Sequence, residues 1–154
     1  MSTSILDIKD AFMSNVKSQR TPINYDDSDY LRFAMAGTQR FFTDCGNESK
    51  WDAEYSYDAT PVLNSTLNIL QFSYCVTASE IEFFQSVRNN WNTLVSYTTN
   101  ALSVAYAYKP FEFLTQTIAD REAQLTYMFH QMTESSNMER ITSIDNTKFE
   151  ARYD

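Results

Sequence analysis

Residues 66–91, TLNILQFSYCVTASEIEFFQSVRNNW, contain neither glycine nor proline, and their apolar positions fall into two helical series. Ile69, Phe72, Val76, Phe83 and Val87 form one stripe; Leu70, Tyr74, Ile81 and Phe84 form another. Positions three and four apart share a helix face, so one apolar stripe marks a helix lying on a core. Two stripes mark a helix enclosed on most of its circumference. The stretch therefore predicts a central helix, starting near Thr66 or Asn68 and running to about Trp91, with the remaining elements packed around it.

The flanking sequence supplies those elements. Ser4 and Asp7 read as a capping pair ahead of Ile5, Ile8, Phe12 and Val16, which predicts a first helix ending near Ser18 or Gln19. RTPINYDDSDY, residues 20–30, reads as a linker, because Pro22 pushes Thr21 out of the helical region. Asp26, Asp27 and Asp29 then cluster at the start of a second helix. They lack the glycine and closing glutamate of an EF-hand loop, whereas acids at a helix N-terminus cap free amides and complement the macrodipole. Leu31, Ala34, Thr38, Phe41 and Cys45 mark the buried face, and Gly46 is the expected C-terminal stop. Residues 47–66 read as a long connection, with turn residues between Trp51, Tyr55 and Tyr57.

Beyond the central helix, β-branched and aromatic residues over 95–109 suit extended structure. Val104, Tyr106 and Tyr108 alternate with Ala105, Ala107 and Lys109, which predicts an extended apolar arm or short β excursion. Pro110 fits the first turn of a last helix, and Leu114, Ile118, Leu125, Met128, Phe129 and Met132 keep helical period to about Thr133. The period is lost in residues 134–154, a tail with scattered anchors at Met138, Ile141, Ile144, Phe149 and Tyr153. The expected fold is mainly α: a bundle of about four helices over residues 1–133, with the arm within 95–109 and a C-terminal tail. Two glycines and three prolines in 154 residues agree with a helical chain rather than a turn-rich sandwich.

The net charge is −8, from 20 acids and 12 bases, with no basic patch to displace counterions from a nucleic-acid backbone. The start, MSTSILDIKDAF, carries early charges and no long apolar run, so a signal peptide is not expected. No window approaches 18 uncharged apolar residues. A cytoplasmic product with reduced, buried thiols is the expectation.

Catalytic patterns are not found. The single histidine, His130, falls near a helix end, where the dipole favours a charged imidazole. Cys45 and Cys75 have no second cysteine or histidine at zinc spacing. Gly37 and Gly46 form no phosphate-cradling loop. Glu80 and Glu82 fall on different helix faces, and Glu80 reads as an outward surface ion-pair partner. Neither an enzyme nor a metal or other cofactor is expected.

DSDYLRFAMAGTQRFFTDCG (27–46) and LVSYTTNALSVAYAYKPFEFLTQTIADREAQLTYMFHQM (94–132) together resemble the head–tail connector proteins of tailed bacteriophages, also called adaptor or head-completion proteins. The likeness spans roughly residues 5–133 and lies in the order of elements, most of all in SYTTNALSVAYAYKP leading into a helix. It implies a structural virion protein of the phage neck, assembled in the host cytoplasm. Such a protein forms a ring, commonly of twelve copies, that docks on the portal, extends the DNA channel and offers a surface to the next neck or tail-completion protein. Packaged DNA would pass through the channel without sequence-specific binding, which the acidic charge suits. The resemblance makes the arm residues Val104, Tyr106 and Tyr108 and the tail residues Met138, Ile141, Ile144, Phe149 and Tyr153 candidates for contact with neighbouring subunits or the portal. Another phage neck or tail-completion protein, or a cytosolic helical peptide-binding protein, would use the same apolar surface differently.

Overall fold

In the computed structural model, residues 2–19, 21, 24–46, 53–55, 61–97 and 111–133 are described. They form a mainly helical bundle. The first helix, α1, spans Ile5–Val16 and is capped by Ser4, whose hydroxyl accepts from Leu6 N at 3.2 Å. Its buried side chains are Ile5, Ile8, Phe12 and Val16, the series expected from the spacing.

The second helix, α2, spans Asp27–Asp44 and begins with a reciprocal capping box. Asp26 Oδ1 accepts from Asp29 N at 2.9 Å, while Asp26 N donates to Asp29 Oδ2 at 3.1 Å. The two acids thus satisfy helix-start amides, as the N-terminal reading of this cluster required. The Ser28 hydroxyl and the Asp29 amide hold the Asp26 carboxyl below its usual range. Because that pKa is depressed on folding, the cap's contribution is present above the ordinary carboxylate pKa and fades as pH falls through the folded value. At its far end α2 stops at Gly46, whose φ of +67° is the left-handed conformation open to glycine.

The connection after α2 contains strand structure that helical periodicity does not reveal. Ala53–Tyr55 (β1) and Pro61–Leu63 (β2) pair antiparallel, with Ala53 opposite Leu63 and Tyr55 opposite Pro61. Pro61 opens its strand, where a missing N–H is tolerated. The chain start closes on β2: Leu63 N donates to Thr3 O at 2.9 Å, Thr3 N donates to Ser65 O at 3.1 Å, and Ser4 bridges Val62. Leu63 is fully buried.

The central helix, α3, spans Ile69–Tyr97. Asn68 and Gln71 form its capping box, Gln71 N donating to Asn68 Oδ1 at 2.9 Å and Asn68 N to Gln71 Oε1 at 3.0 Å. Every residue from Tyr74 to Ile81 is buried, which confirms the enclosure that two stripes predict. Two expectations need correction. Ile69, assigned to the buried stripe, is 88% exposed, because it opens the helix before α3 enters the bundle. The helix also runs six residues past Trp91, so Val95–Tyr97 is helical rather than part of an extended arm. No glycine or proline interrupts it there, and the propensity penalty of β-branched and aromatic residues is only a few tenths of a kcal/mol each, about 0.7 at most. The remainder of the expected arm lies outside the described residues.

The last helix, α4, covers residues 111–133.

Phe83 organises the core. The rings of Phe12, Tyr25, Tyr30, Phe33 and Phe84 all have centroids between 5.4 and 6.5 Å from it. Tyr25 reaches the cluster from the linker, and its hydroxyl is fixed by Ser86 at 3.0 Å and Asn90 at 2.9 Å. Much of the aromatic excess thus serves this core. Where α2 crosses α3, Gly37 faces Ser79: a Cβ on Gly37 would lie 2.7 Å from Ser79 Cα and nearer still to its backbone N and hydroxyl. The buried hydroxyls beside this crossing bond within their own helices, Thr38 to Ala34 O and Ser79 to Cys75 O, each at 2.7 Å.

Candidate functional site

The arm candidates Val104, Tyr106 and Tyr108 and the tail candidates Met138, Ile141, Ile144, Phe149 and Tyr153 all lie outside the described residues. What the structure does place is the helix between those two segments. Helix α4 buries Leu114, Ile118 and Leu125, with Met128 and Met132 packed against the core. With Arg121, these positions run 114, 118, 121, 125, 128 and 132. Alternating steps of four and three make a narrow seam rather than a broad buried face.

The rest of α4 is turned outward. Phe113 is 60% exposed and Tyr127 64% exposed, and they lie four turns apart on one side of the helix. Phe129, expected on the buried face, is 37% exposed and packs its ring 6.1 Å from that of the exposed His130. The exposed residues of α4 include the acids Glu112 and Asp120 but no lysine or arginine. The surface combines isolated large rings with threonines, glutamines and small residues.

Two polar clamps of opposite sense fix α4 to the bundle. On the α2 side, Arg40 holds Glu122 through two hydrogen bonds, 3.0 Å to Oε1 and 2.7 Å to Oε2. Arg40 Nε also reaches Asp44 Oδ2 at 3.3 Å, and the Tyr74 hydroxyl donates to the same oxygen at 2.8 Å. Burial foremost, then the Asp44 carboxylate, pushes the Tyr74 hydroxyl above its usual range. The hydrogen bonds to Glu122 raise the Arg40 guanidinium, which therefore stays charged.

On the α3 side the charges are reversed. Glu80 is 3% exposed, with Oε2 2.7 Å from Arg121 Nε and Oε1 accepting from Asn15 Nδ2 at 2.6 Å. The Arg121 Nε–H is not aimed along the line to the carboxylate, so this contact is an ion pair rather than a well-aligned hydrogen bond. The expectation of an outward, surface Glu80 is overturned. A carboxylate midway along an enclosed helix has no outward side, and burial demands partners. An acid inside a run of buried positions, and a base, Arg121, at a seam position of α4, were the available signals.

Beside this pair lies a groove of about 590 Å³, lined by Asn15, Phe72, Thr77, Glu80, Arg121 and Gln124 among others. Both Glu80 oxygens are engaged, so its geometry serves to join α1, α3 and α4. Among the described residues, no group of three His, Cys, Asp or Glu side chains could hold a metal ion. No described helix is long and apolar enough to cross a membrane.

Neither Cys45 nor Cys75 is in a disulfide. Cys75 is fully buried, and that burial pushes its thiol up to about 12. Half-buried Cys45 is raised by burial and by the Asp44 carboxylate. Neither is a reactive thiolate near neutral pH, since reactivity follows the thiolate fraction. In a native alkylation time course at pH 7.5, Cys45 is expected to label slowly. Cys75 should label only after denaturant is added, at least about a hundredfold more slowly under native conditions than in the unfolded chain.

Comparison of the chain with protein-family models, with curated proteins and with solved structures found no match in any of the three.

Proposed function

We propose that this protein is a structural subunit of a tailed-phage neck, a head–tail connector that forms a ring on the portal and receives the next neck or tail-completion protein. The observation supporting a protein-binding role is the outward side of α4. Its large rings, Phe113 and Tyr127, stand in solvent on a helix that needs only a narrow seam to hold itself to the bundle. Exposed aromatic side chains are suited to interfaces, where a rigid apolar body is buried and a polar tip stays wet. In a ring, each copy presents two different complementary surfaces, so the exposed rings on this side of the helix would be covered by the adjacent copy or the portal. The assignment to the phage neck rests on the sequence resemblance; the α4 surface supports a subunit contact. On this reading the role is structural rather than catalytic, with packaged DNA passing through the channel and no cofactor.

The test is co-purification with the portal protein from the same genome, followed by imaging of the complex. A ring seated on the portal supports the reading; a protein that stays unbound at micromolar concentrations of both components rejects it. Phe113→Asp combined with Tyr127→Asp is expected to leave the helical circular dichroism spectrum and thermal midpoint unchanged. Portal or ring assembly should weaken by at least about tenfold, as expected when central aromatic anchors are lost. Loss of the folded monomer would instead assign these rings to the bundle.

A further inference from the structure

We propose that α4 is a separable latch, which leaves and rejoins the bundle as a unit while α1–α3 stay folded. The unequal anchoring of the helices carries this inference. Helix α1 buries four apolar side chains within 12 residues, and α2 buries six residues within 18. Helix α3 is enclosed without a break from Tyr74 to Ile81. Over residues 111–133, α4 buries only Leu114, Ile118 and Leu125. Among the described residues, its other links are the half-buried Met128 and Met132, packed against the core, and the ion pairs to Arg40 and Glu80. Arg40, Glu122 and Arg121 are each partly open to solvent, so water can take the partner's place when α4 lifts.

The α1–α3 body has locks of its own. The Gly37–Ser79 approach joins α2 to α3, the ring cluster on Phe83 joins all three helices, and Thr3 stitches the chain start to Leu63. None of these involves α4. The latch also carries much of its polar bonding with it: the hydroxyls of Thr115, Thr117, Thr126 and Thr133 each donate to the carbonyl four residues earlier, and Gln116 donates to Asp120. A segment with few buried apolar contacts and replaceable polar links opens below the free energy of global unfolding. Its departure bares the Glu80 carboxylate and the seam beneath Leu114, Ile118 and Leu125, giving the protein a second apolar surface. The inference does not depend on the connector reading, since it concerns the bundle alone.

Hydrogen exchange on the full chain tests it. Amides in 111–133 are expected to share one opening free energy and to exchange at least about tenfold faster than those at the centres of α2 and α3. Ile118→Asp, which places a charge in the seam, should strip protection from 111–133 and leave a cooperative melt of α1–α3. Equal protection of α4 and α2 in the unaltered chain would overturn the proposal. So would collapse of all the helices in Ile118→Asp.

Discussion

Replacing Gly37 by alanine is expected to destabilise the protein by about 2 kcal/mol, although alanine is the better helix former. At an exposed helical site the same change would stabilise by about 1 kcal/mol, because glycine loses more backbone entropy on folding. Here the added methyl would meet the backbone N and Cα of Ser79 as well as its hydroxyl, and only the hydroxyl can turn aside. Backbone cannot rotate away, so α2 and α3 must separate, and the tightly packed neighbours Ala34, Cys75 and Ala78 must move with them. Overpacking of this kind costs about 1–3 kcal/mol and outweighs the propensity gain. For a chain of this length the net loss corresponds to a fall of about 4–8 °C in thermal midpoint. Chemical denaturation with an unchanged m-value would show that stability, rather than the unfolded state, has changed. A midpoint that rises would mean that the helices are not in contact at Gly37. Gly37→Leu should act more strongly and prevent a cooperative transition.

Gly37 also shows which parts of the fold can be read from sequence. The enclosure of α3 was legible because eight residues in succession cannot all be buried without apolar side chains on two sides, and both stripes are visible. The α2 cap and its stop were legible because Asp26, Asp29 and Gly46 each act locally, within one helical turn. The role of Gly37 was not, because it depends on a residue 42 positions away that only the packed helices bring near. The pairing of β1 with β2, and of β2 with Thr3, escaped for a related reason: three-residue strands are too short to show alternation.

The candidate site follows the same rule. Periodicity picked out the seam residues Leu114, Ile118 and Leu125 but mis-set Phe129, which lies at the seam's edge. It gave no sign that Phe113 and Tyr127 face solvent, since aromatic residues are equally at home in a core. Glu80 was misread because an acid on a helix is normally solvated, and its burial depends on α1 and α4 closing over α3 from either side.

That closure leads to the second large effect. Arg121→Met is expected to lower stability by about 3 kcal/mol, or roughly 6–12 °C in midpoint, whereas Glu80→Met combined with Arg121→Met should recover most of the loss. The single change removes the cation from a carboxylate that is 3% exposed and leaves it with Asn15. An uncompensated buried charge is far more destabilising than a missing pair, because its desolvation remains while its attraction is gone. The double change removes both charges and fills the space with flexible apolar chains, and Asn15, which is exposed, turns to water. If the two single losses simply add in the double variant, packing of the two stems rather than charge is what stabilises α4. If Arg121→Met is neutral, the groove beside Glu80 admits enough water to solvate the carboxylate, and the Arg40–Glu122 clamp carries the polar docking by itself. Only the predicted pattern, a severe single and a mild double, identifies the pair as a device that sets the register of α4. A basic residue of α2 meets an acid of α4, an acid of α3 meets the adjacent base, and sliding α4 by one residue would set like charges against each other.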